Sequence, residues 1–222
     1  MATICYLPAS GAGAVTVTPS GTDWNLHVNA SNRLKLNFTR QNTALSTIAY
    51  NPDAADHLVD GNSMHSQFVS DILPPQVIAA QQITLGFRCL EVAASNNLFP
   101  AWKLYAVTVD GVTPLGNIVA FFRSALAEMA TAITGYCQTV AGSALTLNVP
   151  WRLVLEIGGG GLPVNTATDT HNLSIALGDP MATGAQNLPQ QADTTACTPM
   201  LVFSNDLIVN FAGPRAGYQV GV

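Results

Sequence analysis

The stretch Pro150-Trp-Arg-Leu-Val-Leu-Glu-Ile-Gly-Gly-Gly-Gly161 decides the fold class. Trp151, Leu153, Leu155 and Ile157 fall on every second position, with Arg152, Val154 and Glu156 between them. Successive side chains of a strand point to opposite faces, so this spacing predicts a strand with one buried face and one wetter face. Glu156 is expected on the outward face, at the surface. The run Gly158–Gly161 is expected to end the strand as a flexible inter-strand loop, because glycines offer no side chain to pack. A phosphate-binding loop would need Gly-Lys-Ser/Thr and then a helix, and Leu162-Pro163 follows instead.

Further stretches of the same kind flank this one. Alternation or β-rich composition predicts strands at Trp24–Val28, Arg33–Phe38, Gln67–Ser70, Gln76–Val92, Trp102–Val109, Ala144–Val149, His171–Leu177, Met200–Phe203 and Leu207–Phe211. Phe38–Asp60 and Ala182–Thr198 read as long polar loops. Asn117–Thr134 fits both a helical template and a loose period of two, and is read as strands. Roughly nine to eleven short strands without βαβ alternation point to an all-β chain, an antiparallel β-sandwich of jelly-roll type. Residues 1–22, rich in Gly, Ala, Ser, Thr and Pro, read as an extended N-terminal arm ahead of a single domain over 23–222. Such an arm is either a solvated tail or a segment lying on a neighbouring subunit.

Composition narrows the function. Charged residues make up 9% of the 222 positions and apolar residues 48%. Soluble domains carry about 25% charge. A chain this poor in charge points to a subunit that buries surface against neighbours. Its eight Lys and Arg are scattered and its net charge is −5, so no basic cluster exists to bind nucleic acid. No stretch reads as a signal peptide or a membrane span. Cys5, Cys89, Cys137 and Cys197 lack metal-knuckle spacing, and Cys89 shares a face with Ile83, Leu85 and Phe87 as a small hydrophobe.

Candidate sites are few. Asp169, His171 and Asp179 supply too few oxygen ligands for a calcium ion and read as loop polar residues. Glu91, Glu128 and Glu156 show no spacing that pairs two carboxylates for glycosidase chemistry, and read as surface residues. His27, His57 and His65 lie near no nucleophile pattern, and no Gly-x-Ser-x-Gly elbow occurs. The sequons at Asn29, Asn37 and Asn172 matter only in a eukaryotic secretory protein. No catalytic, cofactor-binding or metal-binding residue is assigned, no cofactor is expected, and the chain is expected not to be an enzyme.

A family likeness rests on an ordered set of strand-and-turn words. They are Gln67–Gln76, Ile83–Glu91, Ala101–Gly111, Ala127–Thr131, Trp151–Pro163, Thr170–Ser174 ahead of Leu177-Gly-Asp179, and Pro199–Ser204. In this order the chain resembles β-sandwich structural proteins of tailed bacteriophages over Gln67–Phe211. It departs from their usual Gly-Asp-Arg-Leu strand entry at Val149-Pro150-Trp151-Arg152-Leu153. The resemblance implies a virion location after assembly in the host bacterial cytoplasm. The leading expectation is a capsid decoration (cement) protein, a homotrimer that binds the major capsid protein and braces the head by binding only its assembled form. The alternative is a tail, baseplate or host-surface glycan-binding module, with Trp24, Trp102 or Tyr105 stacking on sugars. Neither nucleic acid nor a membrane is an expected partner.

Overall fold

A computed structural model describes residues 2–19, 23–24, 33–40, 42–50, 62–124, 128–161, 172–179, 194 and 198–209. They form thirteen strands and one short 3-10 turn, Ala94–Asn96. The strands are β1 (Thr3–Tyr6), β2 (Arg33–Leu36), β3 (Thr43–Tyr50), β4 (Asn62–Ser70), β5 (Gln76–Ile78), β6 (Gln81–Glu91) and β7 (Leu98–Thr108), followed by β8 (Pro114–Arg123), β9 (Thr134–Gly142), β10 (Leu145–Leu147), β11 (Trp151–Gly161), β12 (Leu173–Asp179) and β13 (Met200–Phe203). Among the described residues no helix is long and apolar enough to cross a membrane.

One sheet runs β2-β4-β11-β7-β8, antiparallel except for the parallel pair β2 and β4. The other is built on β6. Strand β9 pairs with β6 along Gln81–Cys89. The opposite edge of β6 is shared end to end, with β13 on Ile83–Gly86 and β12 on Arg88–Glu91. Outside these, β1 pairs with β13 and β3 with β12. A short ribbon, β5 with β10, lies apart.

The core forms where the two sheets face each other. Trp151, Leu153, Leu155 and Ile157 of β11, with Phe68, Trp102 and Leu104, pack in one cluster with Ile83, Leu85 and Phe87 of β6, Ile175 and Leu177 of β12, and Phe203 of β13. Each such side chain contributes about 1.5–3 kcal/mol when fully buried, so the period-two pattern of the sequence is the physical reason for the two layers.

The second face of β11 is covered as well. Val69, Tyr105, Val107 and Val154 form a separate buried cluster with Val17, and Val15 packs against it. Ala12 bridges to Leu34, and Gly13 donates its backbone N–H to Arg33. The residues read from sequence as an extended arm thus contribute β1 to one sheet and lie along the outer face of the other. Gly111, with φ of 80°, lets the turn after β7 approach Val15 and Val17; a Cβ there would sit 2.9 Å from the Val15 side chain.

Several boundaries differ from the sequence reading. Phe38–Asp60 is not a loop throughout, because β3 occupies Thr43–Tyr50. Leu207–Val209 is not strand, and the end of that predicted strand lies outside the described residues. Of the strand expected at Trp24–Val28, only Trp24 is described. The strand reading of Asn117–Thr134 holds through Arg123. Gly158–Gly161 does not end β11: the run pairs on both sides, with β4 and with β7, and all four glycines are buried. The glycines are needed for closeness. A bulge falls between Ile157 and Gly158, and a Cβ at Gly158 would overlap the Ser63 carbonyl oxygen and lie 2.9 Å from Met64 Cα.

Candidate functional site

Three neighbouring strands bring a polar row together on the outer face of the five-stranded sheet. Register places Gln67 of β4 and Lys103 of β7 directly beside Glu156 of β11. Tyr105, two residues along β7 from Lys103, shares their face because side chains alternate. The expectation that Glu156 is a surface residue is wrong: it is fully buried, because Asp23 and Trp24 cover it.

Glu156 is held by three donors. Trp24 donates its indole N–H to Oε2 at 2.8 Å, Gln67 donates Nε2–H to Oε1 at 2.9 Å, and the Tyr105 hydroxyl donates to Oε1 at 2.7 Å. Such charge-assisted bonds are what a buried carboxylate needs to offset its lost hydration. Burial, and then the nearby Glu156 charge, push the Tyr105 phenol far above its ordinary range, so it stays an O–H donor. The Gln67 Oε1 atom is buried and has no hydrogen-bond partner.

Asp23 extends the cluster. Its carboxylate meets Lys103 Nζ at 2.5 Å, and its backbone carbonyl accepts a hydrogen bond from Asn62 Nδ2 at 2.9 Å. The Lys103 ammonium also lies 5.2 Å from the Tyr105 ring centroid, within reach of a cation–π contact. Trp24 itself packs with Met64, Ala101 and Phe121, its ring edge-on to Phe121 at 5.0 Å. Chemically this is a fastener: it satisfies a buried carboxylate by pinning an N-terminal segment to the sheet.

A second buried pair ties the other sheet. Arg40 Nε donates to Asp179 at 2.8 and 3.0 Å, and Thr198 donates its hydroxyl to the same carboxylate at 3.1 Å. Asp179 is therefore engaged in an ion pair rather than open to a metal; Asp169 and His171 lie outside the described residues. No cluster of three His, Cys, Asp or Glu fit for a metal occurs among the described residues.

The remaining candidates are placed as follows. Glu91 is buried, not at the surface, and accepts the Leu98 backbone N–H at 3.0 Å; burial raises its carboxyl. Glu128 is exposed, as expected. His65 is buried against Ser66 and the Ile48 carbonyl, and burial lowers it to about 4. His27, His57, Asn29 and Cys197 lie outside the described residues. Asn37 is buried and Asn172 half-buried. Cys5 and Cys89 are free buried thiols, Cys89 raised to about 12 by burial, and Cys137 is a free, half-buried thiol. Trp24, Trp102 and Tyr105 are all buried, so none offers a sugar-stacking face.

One surface feature was missed from sequence. The register Trp151↔Thr108 and the bridge Leu73↔Trp151 place the end of β4, the end of β7 and the start of β11 at one end of the sandwich. Exposed Ile72, Val109, Val112 and Val149 follow or precede those strand ends. Val77 stands next along the chain in β5, and Gln76 clasps the Ile208 backbone through its side-chain amide at 2.9 and 3.1 Å. Val112 is 75% exposed, Val77 69% and Ile208 58%. Of the exposed large apolar side chains, Val92 alone stands elsewhere, beside Asn172 at the start of β12, among the described residues. Residues far apart in sequence make this rim, so no local pattern announces it.

No protein-family model and no curated protein matches the chain. Solved structures do. The chain is similar to a CocE/NonD family hydrolase of Staphylococcus aureus at 10% identity and a TM-score of 0.50, covering 95% of this chain and 36% of that one. It is similar to an α-amino acid ester hydrolase at 12% identity and a TM-score of 0.51, covering 94% of this chain and 36% of that one. At these identities the likeness is one of fold. The chain spans about a third of the length of these structures. The expectation that the chain is not an enzyme is corrected by these matches, because a sandwich of this form is part of two hydrolases.

Proposed function

We propose that the chain is an assembly module of jelly-roll type, and specifically a structural protein of a tailed-phage virion that binds the assembled head through the apolar rim. The observation that carries the assembly reading is the exposure of Ile72, Val109, Val112 and Val149 beside strand ends that register brings together, with exposed Val77 and Ile208 joined through Gln76. Large apolar side chains exposed near one another are a feature of interaction sites. The low charge of the chain supports the same reading, and the ordered strand words supply the phage setting. The alternation of β1, β2, β3 and β4, and of β6 and β7, between the two sheets supports the jelly-roll description. A homotrimer that contacts the major capsid protein fits this setting, and the stabilisation works by mass action on the assembled shell.

The test is occupancy on heads that lack the chain. Purified chain is added, and density on the shell is read by cryo-electron microscopy. Binding that falls at least tenfold on Val77→Lys with Val112→Lys, with an unchanged circular-dichroism spectrum, is the expected result. No density on heads, or equal density for the variant, overturns it.

A second reading is favoured by the fold matches: the sandwich serves as one domain of a larger hydrolase. Intact-mass measurement of the natural gene product, with an assay on α-amino acid esters, separates the two readings.

A further inference from the structure

A tryptophan or tyrosine buried in a core ordinarily finds a partner for its polar tip. Trp24 gives its indole N–H to Glu156, Trp151 gives its own to the Pro74 carbonyl, and Tyr105 gives its hydroxyl to Glu156. Among the described residues, buried Trp102 and Tyr136 depart from this rule: neither the Trp102 Nε1 nor the Tyr136 hydroxyl has a hydrogen-bond partner. They come from opposite layers. Trp102 belongs to β7 of the five-stranded sheet and Tyr136 to β9 of the other, and both enter the core between the sheets. Phe122 lies against Trp102 with ring centroids 6.1 Å apart, and Phe87 against Tyr136 at 5.1 Å. Ser124, buried directly after β8, is tied by its backbone N–H to the Pro100 carbonyl at 2.9 Å, two residues before Trp102. The Tyr136 phenol feels the Trp102 N–H and the Ser124 hydroxyl as hydrogen-bonding neighbours, although neither stands in hydrogen-bond geometry with it. Three polar tips thus meet inside an otherwise apolar cluster.

We propose that Trp102, Tyr136 and Ser124 form a binding site for a single internal water molecule that bridges the two sheets. The donor arithmetic selects the ligand. An indole N–H only donates, and the Tyr136 O–H donates beside it. The occupant therefore accepts two hydrogen bonds, as the two lone pairs of a water oxygen do. It gives a hydrogen back to the Ser124 oxygen. Buried waters make about three hydrogen bonds to otherwise unsatisfied groups, which is the number offered here. The other titratable groups acting on Tyr136 are the thiols of Cys89 and Cys137, and burial raises both, so they stay neutral. No charge faces the site to balance an ion, and a neutral ligand fits it. The site is internal, so it holds whichever function the exposed surface serves.

Crystals of the full chain give the direct test. Density for a water within hydrogen-bond distance, about 3 Å, of both Trp102 Nε1 and the Tyr136 oxygen is the expected result. No density there, or Trp102 donating straight to the Tyr136 oxygen, overturns the bridge. In solution, 17O relaxation dispersion counts internal waters that exchange slowly. Trp102→Phe with Tyr136→Phe keeps two aromatic rings and removes both polar tips. Apolar space left in a core stays dry, so the count is expected to fall by one water against the unsubstituted chain. An equal count, in a variant with the native circular-dichroism spectrum, overturns the bridge as well. If the double variant does not fold, the density of the unsubstituted chain decides.

Discussion

Trp24 donates its indole N–H to Glu156 at 2.8 Å across 132 positions of sequence. The bond joins the N-terminal segment to the central strand of the five-stranded sheet. Trp24→Phe keeps an aromatic ring in the slot and leaves Oε2 of a fully buried carboxylate without this donor. The expected cost is about 2 kcal/mol, the range for hydrogen bonds to charged groups. Trp24→Ala also opens a cavity and is expected to cost about 3–5 kcal/mol. Urea unfolding at constant m checks both. Equal losses for Phe and Ala would show that the ring, rather than the N–H, is what matters.

The glycine run of β11 makes a graded prediction. Gly158→Ala places a Cβ against rigid backbone of β4, with His65 N at 3.0 Å as well as the overlapping Ser63 carbonyl. Gly159→Ala meets the flexible Met129 methyl at 3.2 Å and Leu98 Cβ at 3.6 Å. Overpacking a tight interior costs about 1–3 kcal/mol where neighbours can yield. Gly158→Ala is expected at or above that range and Gly159→Ala below it, read as shifts in denaturation midpoint. A larger loss at Gly159 would contradict the bulge geometry.

The alternation in Trp151–Ile157 was legible because one face of β11 meets a packed core, and so were the strands that pair with it at the centre. Two edge strands, β3 and β9, were not. β3 pairs with β12 alone and β9 with β6 alone, and an edge needs fewer apolar side chains to hold its place. Thr43–Tyr50 and Thr134–Gly142 are accordingly mixtures of Thr, Ala, Gly and Ser with isolated large residues. The site was not legible. Gln67, Lys103 and Glu156 are polar positions inside apolar strands, but the sequence reading put Glu156 at the surface and singled out neither Gln67 nor Lys103. Their burial depends on Trp24, and no local period reports a cover supplied from so far away. The strand-to-loop reading of Gly158–Gly161 failed for a related reason: absence of side chains serves close packing as well as freedom.

The Arg40–Asp179 pair predicts non-additive substitutions. Asp179 is buried and holds Arg40 through both oxygens. Arg40→Ala strands a buried carboxylate and is expected to cost about 3–5 kcal/mol. Arg40→Ala with Asp179→Ala removes both charges and is expected to cost less than the two single losses summed. A double-mutant cycle read by urea unfolding checks the sign, and strict additivity would remove the ion pair from the account.

His65 sets a pH dependence. Burial lowers it from 6.5 to about 4 in the fold, so between these values the unfolded chain binds the extra proton. Stability from this group is complete above pH 6.5 and is lost as pH falls toward 4. At most about 3 kcal/mol is involved. Glu91 runs the other way: burial raises its carboxyl, so its unfolded form ionises first and stability falls as pH rises past the ordinary Glu value. The two slopes oppose each other where their windows overlap. His65→Gln removes the first and leaves the second. Unfolding free energy measured from pH 4 to 7 is therefore expected to rise less steeply, or to fall, in the variant. An unchanged slope would mean that His65 binds its proton equally in the folded and unfolded chain.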